Sequence, residues 1–215
     1  MLNIPQKILV LSPHTDDAEL GCGGSLSKFI SQGHEILWVC FSTAEESLPP
    51  DFPPNALKKE FEEVLSYLGL DKKNSLIMDY KVRKLSEVRQ EVLENLVNIR
   101  KSFIPDIVIG PSLNDFHQDH GVVAQEMIRA FKTSCSILCY ELPWNHVEFK
   151  TQFFVKLNET QIESKLNMLE CYKTQLVAKR NYFTKEFIKG LARVRGAQIN
   201  HDFAEAFEVV RWQIQ

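Results

Sequence analysis

Ser12-Pro13-His14-Thr15-Asp16-Asp17-Ala18-Glu19-Leu20-Gly21-Cys22-Gly23-Gly24 is the stretch from which the remainder of the 215 residues can be placed. The apolar run Ile8 to Leu11 precedes it and reads as a short buried strand, Lys7 to Leu11. After it, Leu26, Phe29 and Ile30 recur at helical spacing over Ser25 to Ile30, and Gly33 fits a C-cap. A strand that stops at a polar, Gly-rich turn and feeds a helix is where open α/β sheets bind ligands. Here the turn carries one imidazole and two adjacent carboxylates. Backbone alternation sends Asp16 and Asp17 in different directions, so one can bind a cation while the other handles a proton.

A second cluster lies at a second strand end. Asp106-Ile107-Val108-Ile109-Gly110 is another buried run, and Asn114-Asp115-Phe116-His117-Gln118-Asp119-His120-Gly121 follows it directly. Together the two clusters supply the nitrogen and oxygen donors that suit zinc. Gly21-Cys22-Gly23-Gly24 reads as a tight turn and fails as a dinucleotide fingerprint: Leu26 stands where the last glycine of G-x-G-x-x-G belongs, and no acid closes the second strand at Phe41-Ser42-Thr43.

The chain alternates strand and helix patterns without linker, repeat or low-complexity segment. His34 to Thr43 reads as a central strand, apolar on both faces. Helices are expected over Asn55 to Gly69, from a Ser86 N-cap to Phe103, and over His120 to Phe131. Leu76 to Met78, Ile107 to Ile109, Ser136 to Leu142, Phe153 to Leu157 and Phe207 to Trp212 read as strands. Asn158 with Gln161 resembles a capping box that opens a helix with Ile162, Leu166, Leu169 and Leu176 inward, and a further helix is expected over Thr184 to Val194. The pattern is that of one α/β domain over residues 1–215, a Rossmann-like three-layer fold with a mostly parallel sheet.

Composition bounds the function. At 44% hydrophobic content the chain can bury a sizeable core. A net charge of −3 without a like-charge run argues against a nucleic-acid partner. No apolar run approaches the ~18 residues of a membrane span, and no secretory leader is expected. Five irregularly spaced cysteines, with Cys40, Cys135 and Cys139 in or beside apolar strands, suggest a reducing, cytoplasmic setting. The sequence leaves the oligomeric state open, a homo-oligomer included.

Over about residues 7 to 130 the chain resembles the zinc-dependent N-deacetylases of the PIG-L/LmbE family, which remove acetyl groups from amino sugars. The family's His-Pro-Asp-Asp-x-Glu motif is matched by His14-Thr15-Asp16-Asp17-Ala18-Glu19, with Thr15 in place of Pro, and its His-x-Asp-His motif by His117-Gln118-Asp119-His120. The resemblance implies one Zn2+ per chain, or another divalent ion, on His14, Asp17 and His120, and Asp16 as general base; spacing alone does not separate Asp16 from Asp17. His117 would stabilise the oxyanion or protonate the leaving amine, and Asp119 would orient one of the imidazoles. Cys22 is a candidate fourth ligand, although it lies on the helix side of the turn. Thr43-Ala44-Glu45-Glu46 departs from the family's Thr-x-Gly-Glu by Glu45 for Gly, and the family's substrate-contacting Arg is missing around Leu57-Lys58-Lys59-Glu60.

The expected reaction is therefore hydrolysis of the acetyl group of a small N-acetylated amino sugar. The rival readings are a metal-dependent esterase or phosphatase and a catalytically silent sugar-binding module. Between Gln161 and Ala197 eight basic residues (Lys165, Lys173, Lys179, Arg180, Lys185, Lys189, Arg193, Arg195) face three acidic ones, an excess of five. That excess, with Arg193 and Arg195 expected to return towards the site, suggests an anionic substrate; a solvated helix face is the alternative reading.

Overall fold

The structure is a computed structural model and describes residues 5–213. The strands are β1 (Lys7–His14), β2 (Glu35–Ser42), β3 (Ser75–Ile77), β4 (Ile107–Gly110), β5 (Ser136–Tyr140), β6 (Phe153–Leu157) and β7 (Phe203–Arg211). The helices are α1 (Asp17–Ser31), α2 (Ala56–Tyr67), α3 (Arg89–Phe103), α4 (Gln118–Phe131), α5 (Glu159–Glu170), α6 (Lys173–Val177) and α7 (Lys185–Ala197). One seven-stranded sheet runs in the order β3-β2-β1-β4-β5-β7-β6; only β7 opposes its neighbours. The expected mostly parallel three-layer α/β fold is what forms.

Strand alternation makes the layers. Ile8 and Val10 of β1 face one core, with Trp38 of β2 and Phe61 of α2, and with apolar residues of α1, α5 and α7. Leu9 and Leu11 face the other, with Val39, Val108 and the buried faces of α3 and α4. Because both faces are covered, the central strands are apolar throughout. Removing a side chain such as Phe61 from water contributes roughly 2–3 kcal/mol. The one polar group of Trp38 is satisfied, its Nε1–H donating to Ser12 Oγ at 2.8 Å.

β1 pairs with β2 on one side and β4 on the other. The chain leaves β1 through α1 towards β2 and returns through α3 to β4, so their C-terminal ends flank a topological switch point, the crevice where such sheets take ligands. Both polar clusters open there.

Four sequence expectations need correction. The Gly-rich segment is not a turn: α1 begins at Asp17 and runs through it, broken by a non-helical residue at Cys22 (φ −147°, ψ 22°). Distant partners hold the break. A Cβ at Gly24 would stand 2.6 Å from Leu157 Cδ1, and one at Gly21 would collide with Tyr140. The N–H groups of Gly24 and Ser25, released at the break, donate to the Glu205 carboxylate at 3.0 and 2.6 Å. Lys165 Nζ bridges Glu205 Oε1 and the Leu20 carbonyl, 2.7 Å to each.

Ser86 does not cap α3. It lies in a 3-10 turn, Leu85–Val88, because Asp119 accepts the Leu85 N–H at 3.2 Å and pulls the approach to the helix inward. Leu176 is 41% exposed rather than inward. It belongs to the separate short helix α6, near whose start Glu60 takes both the Thr174 N–H (2.9 Å) and its hydroxyl (2.6 Å). Finally, α4 starts at Gln118, not His120, so His117 takes the N-cap and Asp119 and His120 fall in the first turn.

Candidate metal centre

His14 is the last residue of β1, and Asp17 opens α1 three residues on. Asp17 Oδ2 accepts the His14 backbone N–H at 2.8 Å, which folds the carboxylate back beside the imidazole of the same residue. His120, in the first turn of α4, arrives from the other strand end. Three donor atoms converge: His14 Nδ1 to Asp17 Oδ2, His120 Nε2 to Asp17 Oδ2 and His120 Nε2 to His14 Nδ1 are all 3.2 Å. Neighbouring ligands in a tetrahedral zinc shell with bonds of ~2.0 Å stand about 3.3 Å apart. The triangle therefore has the size of a metal-binding face.

The outer nitrogens of both rings are committed. His14 Nε2 meets Asp119 Oδ2 at 3.0 Å, and His120 Nδ1 meets Asp115 Oδ2 at 2.7 Å. A carboxylate on the far nitrogen takes that ring proton and leaves the inner lone pair for a cation. Asp119 is itself held by the N–H groups of Arg83 (2.5 Å) and Leu85 (3.2 Å). Asp115 accepts the His117 N–H on its other oxygen at 2.8 Å. The ring that Asp119 orients, undecided in the sequence, is that of His14.

His117 stands over the pair, its ring centroid 4.8 Å from His14 and 4.6 Å from His120. The three imidazoles could also form a ligand group, with nitrogens within 4.8 Å of one another; the triangle containing Asp17 is the tighter set. His117 Nδ1 accepts the Asp119 N–H at 3.2 Å, capping α4, which leaves the ring proton on Nε2. Burial, then the charges of His120 and His14, push its pKa down to about 4. At neutral pH it is an uncharged donor.

The electrostatics of the centre are those of a cation-binding site. Burial alone would lower His120, yet the Asp17 charge and the Asp115 hydrogen bond raise it to about 10. Burial opposes Asp17 in turn, but the His120 charge and the hydrogen bonds of both rings hold it far below the carboxylate range. Asp16 takes the N-cap position of α1, but its side chain does not cap the helix. Burial and then the Asp17 charge lift it to about 6.

Beneath the motif, the Tyr172 hydroxyl lies 2.5 Å from both the Thr15 carbonyl and Glu19 Oε1. The single phenolic proton can go to either acceptor; with it on the Thr15 carbonyl, the second contact is also satisfied when Glu19 is protonated and donates to the phenol oxygen. Burial pushes Glu19 well up, in the same direction. This lock fixes the peptide that leads into Asp16.

Of the expected site residues, His14, Asp16, Asp17, His117, Asp119 and His120 all come to the one crevice. Cys22 is buried at the break in α1, where burial drives its thiol well above its ordinary value, a poor state for a ligand. In the Thr43-to-Ser47 loop the left-handed residue is Ala44 (φ 52°), one position before Glu45. Arg193 and Arg195, expected to return towards the site, are each committed to a carboxylate: Arg193 pairs with Asp202 at 3.3 Å and Arg195 grips Glu141 with two nitrogens. Sequence reasoning gave no role to Asp115, though it sits inside the second motif five residues before His120. It also missed Tyr172, which no motif marks.

A family model described as PIG-L: GlcNAc-PI de-N-acetylase matches residues 9–131. An Escherichia coli K12 protein described as uncharacterized deacetylase YaiS is 28% identical over 172 residues, 78% of this chain and 90% of its own. The N,N'-diacetylchitobiose deacetylase of Pyrococcus horikoshii superposes with a TM-score of 0.74 at 20% identity, over 95% of this chain and 84% of that one. GalB, the 4-carboxy-2-hydroxymuconate hydratase of Pseudomonas putida KT2440, superposes with a TM-score of 0.77 at 18% identity, over 98% of each chain. A hydratase and a deacetylase on one backbone show that the fold by itself does not select the reaction.

Proposed function

The chain belongs to the PIG-L family of GlcNAc-PI de-N-acetylases, and from that premise we propose that it hydrolyses the acetamido group of a small N-acetylated amino sugar on a zinc ion held by His14, Asp17 and His120. It is a metal-dependent N-deacetylase. The substrate class follows the family and the chitobiose deacetylase, whose names both specify an N-acetylated amino sugar. The observation that carries the reading is the 3.2 Å triangle of donor atoms, with a carboxylate behind each imidazole.

Zinc, when bound, supplies Lewis-acid polarisation of the amide carbonyl and lowers the pKa of water to about 7. Asp16 is the proton acceptor for the attacking water, since its carboxylate is not spent on capping α1. With a pKa near 6 it is ionised at neutral pH and, once protonated, acidic enough to pass the proton to the departing amine. His117 offers its Nε2–H to the carbonyl oxygen as negative charge develops there. Being neutral, it does this without repelling a cation.

Two finer elements complete the proposal. The substrate carries an anionic group, and five unpaired cysteines suit a reducing, cytoplasmic setting. Among the described residues no helix is long and apolar enough to cross a membrane.

The test combines elemental analysis with acetate release from N-acetylglucosamine, its 1-phosphate and N,N'-diacetylchitobiose. About one zinc per chain is expected, with acetate from at least one substrate. Asp16→Asn should keep the metal and lose about 10²–10⁴-fold in rate. A zinc-loaded protein that releases no acetate from any of the three, or an Asp16→Asn variant near wild-type rate, refutes the assignment.

A further inference from the structure

Trp144 and Tyr182 stack ring on ring, with centroids 3.8 Å apart and planes 8° from parallel. Phe187 of α7 braces Trp144 edge-on at 5.9 Å. Arg180 Nη1 donates to the Tyr182 hydroxyl at 2.9 Å, and its guanidinium carbon lies 5.8 Å from that ring's centroid. Both rings are half-buried and Arg180 is exposed.

The stack is joined to the metal centre from two directions. Asn145, next to Trp144, accepts the Phe116 N–H on its carbonyl at 3.0 Å, and its side-chain amide lies 3.4 Å from Asp115 Oδ2, the oxygen that holds His120. On the other side, Tyr172, whose hydroxyl meets the Thr15 carbonyl next to Asp16, packs edge-on against Phe183, the chain neighbour of Tyr182, with ring centroids 6.4 Å apart. The stack therefore borders the crevice beside the general base.

Charge accounting leaves Lys173, Lys179 and Arg180 without a carboxylate partner among the described residues, and of these three Arg180 is the one bonded to the aromatic pair. Of the basic residues between 161 and 197, Lys165, Lys185, Lys189, Arg193 and Arg195 are each paired with a carboxylate. Lys173 donates to the Glu170 carbonyl at 2.5 Å. Arg180 is held by a phenol, and among the described residues no carboxylate neutralises it at bonding distance. A fork of donors fixed beside an aromatic pair, at the edge of a site for sugars, suits a sugar that carries an anion.

We propose that Trp144, Tyr182 and Arg180 form the recognition wall of the site: the rings take the apolar face of the sugar, and Arg180 takes a phosphate or carboxylate substituent on it. This rests on the deacetylase reading and names its substrate class.

The experiment measures kcat and KM for N-acetylglucosamine and N-acetylglucosamine 1-phosphate with metal-loaded wild type, Arg180→Ala, Arg180→Lys and Trp144→Ala, at low and high salt. Calorimetric binding of the same two sugars to Asp16→Asn, with and without Arg180→Ala, runs alongside and needs no turnover. Zinc content and circular dichroism certify each variant's fold. The wild type should prefer the phosphorylated sugar, through KM. Arg180→Ala should cut that preference by about ten- to a hundredfold and abolish its salt dependence, Arg180→Lys should retain part of it, and Trp144→Ala should raise KM for both sugars. Acetate release with the same preference in wild type and Arg180→Ala overturns the wall and leaves the deacetylase intact. Binding that depends on Arg180 without acetate release from either sugar supports the wall and refutes the deacetylase. Binding indifferent to Arg180 and turnover of neither sugar refute both.

Discussion

Asp115→Asn replaces one oxygen by an amide nitrogen of nearly the same shape, and the structure makes it a severe change. The two oxygens of Asp115 face different donors: Oδ2 meets His120 Nδ1 at 2.7 Å, and Oδ1 meets the His117 backbone N–H at 2.8 Å. An asparagine has one oxygen to serve both. If its NH2 faces His120, Nδ1 must accept, the ring proton moves to Nε2, and the atom of the metal-binding triangle is blocked. If its NH2 faces the His117 N–H, two donors collide and one buried group goes unpaired. Either choice costs about 1–3 kcal/mol, or roughly 5- to 150-fold in metal affinity. Asp115→Ala removes the orienting carboxylate without imposing a wrong tautomer, a change that typically costs about 10–100-fold. The expectation is therefore unusual: the near-isosteric Asn binds zinc no better than Ala. Competitive titration against a chromophoric chelator at fixed pH measures both, with circular dichroism as the control for folding. Wild-type affinity in Asp115→Asn, or an Asn variant clearly tighter than Ala, would refute the tautomer reasoning.

Metal uptake should release protons. In the metal-free protein His120 holds its proton up to about pH 10, so zinc affinity should rise with pH through neutrality, and calorimetry in buffers of different ionisation enthalpy should show at least one proton displaced at pH 7. The acid limb of kcat/KM should fall at or below pH 6, where Asp16 becomes protonated; a bound cation draws that carboxylate down, so a limb above pH 7 counts against Asp16 as base. Cys22→Ser should keep zinc content and rate near wild type, and zinc loss in it would mean that the ligand set is wrong. Lys165→Met strands the buried Glu205 carboxylate, which keeps only two backbone N–H partners; denaturant titration in chelator should show a loss of about 3–5 kcal/mol, partly recovered by adding Glu205→Gln.

Strand ends and donor types were legible in the sequence because they are local properties: unbroken apolar runs mark buried parallel strands, and His and Asp clustered at their ends mark the crevice. Contacts between distant residues were not legible. Nothing near Gly21 announces that Tyr140 presses against it, so the segment reads as a turn although it is a broken helix. Ser86 resembles a cap until Asp119, 33 positions later, takes the neighbouring N–H. Arg193 and Arg195 suggest a substrate clamp because their carboxylate partners, Asp202 and Glu141, do not announce themselves by spacing. Asp115 was hidden differently: aspartate is so common at strand-to-helix turns that its type alone carries no role.

The break in α1 also bears on the order in which the protein matures. The helix that carries Asp17 is closed at Leu20, Gly24 and Ser25 by Lys165 and Glu205, and the turn before Asp16 is clamped by Tyr172. All three lie beyond residue 131, where the family match ends. During synthesis the metal-binding motif thus emerges long before the residues that shape it, and a ribosome-tethered chain halted at residue 131 would hold its histidines without a rigid frame. A chain halted at residue 131 should therefore bind a divalent ion more weakly than the full chain, in which Glu205 of β7 has entered the sheet.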